Sequence, residues 1–348
     1  MASSSPIRPR RLAPGDTVAI VSPSWGGPSL FPHIYEHGLA TLRSWDLEIR
    51  ELASARAASD RLRRDPRFRA DDINVAFADP DIAAIVASIG GDDSIRLLPY
   101  LDATAITANP KILMGFSDTT TLLTAIRRLG LVTFHGPSVM AGLSQMNGLP
   151  ASYAAHVREM LFGGGVTYAY PAFDGYAEGY PDWADPANGG LANALRSGDG
   201  PRILQGSGSV TGELFGGCLE VLDWLRGTVA WPVGDEWAGR LLFIETSEDK
   251  PSVEQVERML RSFGALGLFD RVAGLMVGRP RDHTVQERIA LEAAIQGVVG
   301  GEFGRPDLPI VAGLPFGHTD PQWVLPLGVQ AELDVDAASL RLVEPWLA

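Results

Sequence analysis

The sequence is short of cysteine, of positive charge and of long apolar runs, and each shortage removes a class of function. Cys218 is the single cysteine in 348 residues. No intramolecular disulfide can form, and a reducing compartment is permitted. Lys and Arg number 29 against 42 Asp and Glu, a net charge of −13. With no basic run to offset that balance, a nucleic-acid partner is not expected. No stretch reaches the roughly 18 consecutive apolar residues of a membrane span. The first residues are basic but lack the apolar segment of a secretory signal. No membrane partner is therefore expected, and the expected location is cytoplasmic. Neither G-x-x-x-x-G-K-[ST] nor G-x-G-x-x-G occurs, which argues against a phosphate loop and against a dinucleotide oxidoreductase.

What is present is an alternation of strands and helices. Hydrophobic residues make up 45% and charged residues 20%, an ordinary globular balance, and the length suggests two domains. Strands are expected at 17–22, 47–52 and 82–88, the last apolar almost throughout, as in a parallel sheet buried on both faces. Helices are expected at 33–45, at 70–78 and from Ser94 to Leu101. Residues 54–69, rich in Arg and Asp, read as a solvated connection. This pattern predicts an N-terminal doubly wound, mainly parallel α/β domain over residues 1–165. Residues 166–208, rich in Gly, Pro, Asp and scattered aromatics, lack a clear period. They read as a linker that also covers a cleft. Residues 209–348 form a second, mixed α/β domain: helices over 216–226, 253–263 and 284–299, strands at 241–244, 272–278, 310–313 and 324–327, and a closing hairpin of 329–334 with 339–343. The ligand site is expected in the cleft between the two domains.

The organising stretch is 111–129, KILMGFSDTTTLLTAIRRL. It reads as a strand, an abrupt turn at Ser117-Asp118, and an amphipathic helix. A serine on such a turn is lifted out of the sheet, and the amides opening the helix point to the same place. Those amides can stabilise the oxyanion formed when the hydroxyl attacks a carbonyl. The pattern G-F-S-D-T borrows this logic without matching G-x-S-x-G. The plainer alternative is that Ser117 and Asp118 only cap the helix. The Gly90-Gly91 turn, at the end of the 82–88 strand, is likewise open to two readings: a tight turn needing positive φ, or close backbone approach to a substrate.

A serine nucleophile needs a base, and the base needs an orienter. Of the six histidines, His318 lies in a loop of Gly, Thr, Asp and Pro between two strands, where a positioned base would be found. His135 follows a strand end and is the second candidate. His33 and His37 share a predicted helix at metal-binding spacing but lack a third ligand, so no metal is expected. His156 and His283 read as surface residues. Glu245 ends the apolar strand LLFIE and is the candidate orienter, which gives the chain order Ser117, Glu245, His318.

Those residues, with their surroundings, carry a resemblance. LAPGDTVAIVSPS, ASIGGDDSIRLLPYLD, NPKILMGFSDTT, TFHGP, GELFGGCLEVL, LLFIETSED, VAGLMVGR and PFGHTDPQWVLPLG together resemble the LD-carboxypeptidase family, from about Leu12 to Val343. The likeness is greatest to its branch of microcin C self-immunity proteins. It implies a serine peptidase or amidase without cofactor or metal, built from two α/β domains and acting as a homodimer. It also implies Ser117 as nucleophile, Glu245 as acid, His318 as base, and the amides of Gly91 and Asp118 as oxyanion donors. By the same resemblance the substrate is a small peptide or a peptidyl- or aminoacyl-nucleotide, met by Gly90 and by Trp183 stacking on a base. L,D-carboxypeptidase action on peptidoglycan tetrapeptides is the alternative, and a non-catalytic binding protein on the same scaffold is a third. Cys218 departs from the pattern, since the family commonly has Asn after the two glycines.

Overall fold

The computed structural model describes residues 6–198 and 200–348. Its first sheet is built from β1 (Thr17–Val21), β2 (Glu48–Glu51), β3 (Ile82–Ala87), β4 (Ile112–Gly115) and β5 (Thr133–His135), all parallel, in the order β5-β4-β3-β1-β2. This is a doubly wound order with a switch point between β1 and β3, and ligands in such sheets lie beyond the carboxyl ends of the strands. The turns after β3 and β4 are therefore neighbours, because the strands that carry them are neighbours. β3 is buried at all six positions, as its unbroken apolar sequence requires.

Three short strands, β6 (Tyr168–Ala169), β7 (Ala177–Glu178) and β8 (Arg202–Gln205), interrupt the irregular 166–208 segment. The remainder adds β9 (Ser209–Cys218), β10 (Arg240–Glu245), β11 (Gly274–Gly278), β12 (Ile310–Leu314), β13 (Thr319–Asp320), β14 (Leu325–Leu327), β15 (Gln330–Asp334) and β16 (Ser339–Leu342). The second sheet runs β6-β16-β15-β9-β10-β11-β12-β8, parallel from β9 to β12 and antiparallel at both flanks. β14 leaves it and pairs antiparallel with β5 at the edge of the first sheet. β13 pairs with β7.

The pleat of β10 divides the two cores. Leu241 and Phe243 join the core that also contains Ile112, Leu123 and Leu325, whereas Leu242 and Ile244 join a second core with Phe215, Leu222 and Phe263. Strand residues alternate between faces, so one β-strand serves both. The sheets meet where the helix Thr120–Arg128 lies on β9. Gly217 makes this approach possible: a Cβ there would lie 2.5 Å from both Thr120 Cγ2 and Thr120 Oγ1, and its φ is +148°. The Thr120 hydroxyl accepts from the Cys218 amide at 3.1 Å.

Several expectations are corrected. Residues 54–69 are not a solvated connection. They contain the helix Ser59–Arg64 and the start of the helix Pro66–Ala78, and Arg69 is fully buried. The segment after Gly91 is a 3-10 helix, Ser94–Tyr100. The helix expected at 216–226 covers only Leu219–Leu225, because Gly216 and Gly217 still belong to β9. The helix expected at 284–299 is α-helical over Val285–Gln296 and then continues as a π-helix over Gly297–Glu302.

Replacing Gly217 by Ala should lower the stability of the chain by about 1–3 kcal/mol, the usual range for overpacking. Gly297, a helical position with open space around it, should accept Ala without loss. Urea midpoints of the two variants check this. Equal midpoints would mean that the helix does not depend on the bare backbone of β9.

Candidate active site

β4 delivers Ser117 in a strained backbone. The residue before it is extended, and Ser117 itself has φ +57°. Such a conformation costs a non-glycine residue of order 1 kcal/mol or more and persists only where neighbours enforce it. The enforcement comes from Asp118. Its buried Oδ2 accepts from the amides of Asp93 (3.0 Å) and Ser94 (2.8 Å), and its own carbonyl accepts from the Ser94 hydroxyl at 2.8 Å. Burial pushes the Asp118 carboxyl up from its usual range, and the Ser94 hydrogen bonds oppose that. One carboxylate thus ties the serine turn to the neighbouring glycine turn.

The glycine turn is fitted as closely. A Cβ on Gly90 would lie 2.8 Å from Ser117 Cβ and 2.9 Å from its Oγ. Gly91 has φ +149°, and a Cβ there would lie 2.2 Å from Ser24 Oγ. The Ser24 hydroxyl accepts from the amides of Asp92 and Asp93 at 3.0 and 3.2 Å. Behind it, fully buried Arg69 donates to Asp93 Oδ1 at 2.5 Å and to the Pro23 carbonyl at 2.7 Å. The Arg-rich segment read as solvated therefore supplies the buried cation that braces this turn.

Glu245 and His318 come from the carboxyl ends of β10 and β12. The strand between them, β11, ends in Gly278, where a Cβ would lie 2.7 Å from Glu245 Cβ. Gly317, at φ +94°, would place a Cβ 2.5 Å from Glu245 Oε2. Two glycines thus leave room for the carboxylate to reach the ring: His318 Nδ1 lies 2.6 Å from Glu245 Oε2, with both side chains buried. The ring packs edge-on against Phe116, the residue before Ser117, with centroids 4.9 Å apart. On its other side, Nε2 lies 3.0 Å from Glu248 Oε2, out of line for a hydrogen bond. Burial opposes the imidazolium, but the Glu245 carboxylate, followed by Glu248, outweighs it and pushes His318 up to about 10. The contact with His318 in turn holds Glu248 down at about 2.

Ser117, Gly90, Gly91, Trp183 and His318 line one cleft of about 690 Å³. Trp183 stacks on Tyr180 (centroids 5.3 Å apart, 28° between planes) and meets Phe31 edge-on at 5.8 Å. His135 is fully buried between Phe116 and Phe243. Burial, reinforced by the charge on His318, pushes it down to about 3, so it is neutral packing. His156 is not on the surface: its Nε2 accepts from the Val324 amide at 2.8 Å and its Nδ1 meets the Tyr168 hydroxyl at 2.8 Å. His283 is half-buried, with Nδ1 at 2.7 Å from the Arg281 carbonyl. His33 and His37 belong to no cluster of three or more potential metal ligands among the described residues.

The sequence reading passed over Glu248, Arg63 and Arg281 in the cleft lining, and Glu220. Glu220 is turned inward, accepting from the Ser247 amide (2.9 Å) and hydroxyl (2.6 Å), and so pins the loop that carries Glu248. Cys218 Sγ donates to Glu220 Oε2 at 3.5 Å, and burial pushes its thiol up. The available signal was the run of polar residues Thr246-Ser247-Glu248-Asp249 directly after an apolar strand.

A two-sheet α/β scaffold thus brings a strained serine turn and a carboxylate-held imidazole to one cleft. The chain belongs to the LD-carboxypeptidase family: residues 18–136 match the model of its N-terminal domain and residues 211–333 that of its C-terminal domain. A Vibrio cholerae protein with the provisional name of carboxypeptidase is 30% identical over 97% of this chain and 98% of its own. The microcin C7 self-immunity protein MccF of Escherichia coli is 28% identical over 100% of this chain and 99% of its own. A solved structure of MccF in complex with aspartyl sulfamoyl adenosine superposes with a TM-score of 0.85 at 28% identity, covering 99% of this chain and 100% of that one.

The state of His318 can be measured directly. Its pKa lies above the ordinary 6.5, at about 10, so the stabilisation drawn from the imidazolium is complete below about pH 6.5 and is lost as pH rises through about 10. Ring-nitrogen NMR of the unliganded protein should show this titration, moved down in Glu245→Gln. A titration near 6.5 in both proteins would remove Glu245 as its cause.

Proposed function

We propose that the chain is a serine amidase in which Ser117 is the nucleophile, His318 the general base and Glu245 its orienter. Ser117 Oγ attacks an amide carbonyl, and its proton passes to His318 Nε2. The amides of Gly91 and Asp118 donate to the oxyanion. Collapse expels the amine, which takes the proton from His318, and leaves an ester on Ser117. Water, deprotonated by the same ring, then releases the acid. The observation that carries this reading is the Glu245 hydrogen bond to Nδ1. It commits the other nitrogen to the cleft that Ser117 lines. An imidazole at about 10 is protonated at neutral pH, so catalysis requires that contacts to Nε2 be exchanged when substrate enters.

The substrate we favour is an aminoacyl- or peptidyl-nucleotide, cleaved at the amide as in microcin C detoxification. The stacked Tyr180–Trp183 pair on the rim of the cleft supports it, since aromatic faces hold nucleobases by stacking. Arg63 and Arg281 in the same lining supply cations for a phosphate. The MccF complex with aspartyl sulfamoyl adenosine fits the same view. A second reading, L,D-carboxypeptidase trimming of peptidoglycan tetrapeptides, is favoured by the family description matched in both halves. A homodimer is part of the proposal. So is a cytoplasmic location, which agrees with the finding that, among the described residues, no helix is long and apolar enough to cross a membrane.

Turnover of a hydrolysable aminoacyl-adenylate analogue and of a murein tetrapeptide should be compared. Ser117→Ala should abolish both activities, and Trp183→Ala should raise KM for the nucleotide by about tenfold, the equivalent of one lost stack. Cleavage of the tetrapeptide alone would select the second reading. Tight binding without turnover by the unaltered protein would select a non-catalytic role.

A further inference from the structure

Two carboxylates meet the His318 ring, and they differ in kind. Glu245 is bonded to Nδ1 and its side chain is 0% exposed. Glu248 lies 3.0 Å from Nε2, out of line for a hydrogen bond, and its side chain is 54% exposed. Packing fixes the first carboxylate and leaves the second able to move. The loop that carries Glu248 is nevertheless anchored, because Glu220 accepts from both the amide and the hydroxyl of Ser247. An anchored loop thus brings a movable anion to the nitrogen assigned the proton of Ser117.

The other titratable groups around the ring have no such freedom. Glu245, His135 and Asp320 are all buried. His135 is neutral, and burial pushes the Asp320 carboxyl up from its usual range. Glu248 itself faces three groups: His318, the Arg281 guanidinium, and the Tyr180 phenol, which burial keeps protonated. Its contact with His318 above all, and more weakly the charge of Arg281, favours its ionised form. Arg281 is well placed to receive it. Its Nε donates to Asp282 Oδ2 at 3.0 Å, and a Cβ on Gly179 would lie 2.8 Å from its Nη2. Its guanidinium is 5.9 Å from the centre of the Tyr180 ring. Ser117, His318, Glu248 and Arg281 line the same cleft, so a second cation of this chain stands within the field of the movable anion.

We infer that Glu248 is a positioning residue with two seats: on His318 before a ligand enters, where it keeps the ring an imidazolium, and on Arg281 once the cleft is filled, which releases Nε2 to act as the base. The inference rests on the reading of Ser117 as nucleophile and His318 as base. It asks nothing of the ligand's charge, because the ligand acts by taking the space into which the carboxylate projects. One ion pair replaces another, so the anion is not stranded without a cation. As the carboxylate withdraws, the imidazolium loses a favourable neighbour and gives its proton to solvent. Arg63 is left to meet an anionic group on the ligand. The base is thereby withheld from Ser117 until a substrate is present.

The test is the pH dependence of turnover by the full chain, on whichever of the aminoacyl-adenylate analogue and the murein tetrapeptide it cleaves. The acid limb of kcat/KM reports the unliganded enzyme and that of kcat the complex. The first should lie about one pH unit or more above the second, since one unit is the scale of a single charge contact. Glu248→Gln should bring the kcat/KM limb down to the kcat limb, a rise of about tenfold in kcat/KM at pH 7. Arg281→Gln should instead raise the kcat limb, an effect separate from any change in KM. Limbs that coincide in the unaltered chain, or a limb that its variant does not move, overturn the inference. Ring-nitrogen NMR repeats the test without turnover, on Ser117→Ala saturated with aspartyl sulfamoyl adenosine or the tetrapeptide, whichever binds. The His318 titration should fall by about one pH unit on binding, and should not fall when Arg281→Gln is added. That fall, in a chain whose unaltered form cleaves nothing, keeps the role of Glu248 and sinks the nucleophile. Turnover without the fall sinks the role of Glu248 and leaves the nucleophile standing.

Discussion

The site depends on one short contact, His318 Nδ1 to Glu245 Oε2 at 2.6 Å, between side chains that water does not reach. Neither group could be buried charged without the other. Removing one partner of such a pair typically costs about 3–5 kcal/mol, because the remaining charge is left uncompensated. The backbone yields to accommodate it. β11 ends in a glycine, and the residue before His318 is a glycine at φ +94°. Side chains at either place would push the carboxylate off the ring. Three neighbouring strands are thus shaped around one hydrogen bond, two by supplying its partners and the third by giving up its side chain.

A comparable economy holds around Ser117. The strained residue is not stabilised by its own contacts but by the Asp118 carboxylate, which reaches the amides of the next turn. That turn is in turn anchored through Asp93 to a fully buried arginine. The charges alternate from Arg69 to Asp93, and the Asp118 carboxylate ends the series against backbone amides. Donors fixed in advance are what the oxyanion role proposed for these amides would require, since nothing would then have to reorganise as charge develops. The aromatic contacts from Phe116 to His318, from Phe116 to His135, and from His135 to Phe243 join the two halves in the same way.

Much of this was legible in the sequence, for reasons that can be stated. The strands at β3 and β4 are continuous apolar runs that stop at glycine or serine, and chain order then places their ends side by side. Glu245 was visible because a carboxylate closing LLFIE contradicts its surroundings. What stayed hidden was hidden for physical reasons. Arg69 sits among mostly exposed arginines and aspartates, and nothing in its neighbourhood says that it turns inward. His156 is equally silent, since its partners are a backbone amide 168 residues away and a tyrosine hydroxyl. Gly278 and Gly317 act through what they lack, and a missing side chain announces no partner. Glu248 lay within the motif but looked like one more solvated acid.

The irregular 166–208 segment is tied to the chain that surrounds His318. Its strand β7 pairs with β13, and β13 begins at the residue after His318. Asp320, in that strand, is buried and accepts from Gln322 Nε2 at 3.0 Å. Farther along, Tyr170 donates to the Val324 carbonyl and Trp323 donates to the Pro171 carbonyl, each at 2.9 Å. A segment joined at so many points to the chain that follows the imidazole cannot move as an independent flap. The segment that carries Tyr180 and Trp183 is thus held beside the imidazole by the β7–β13 pairing and by two side-chain hydrogen bonds, and much of its length is spent in making those attachments.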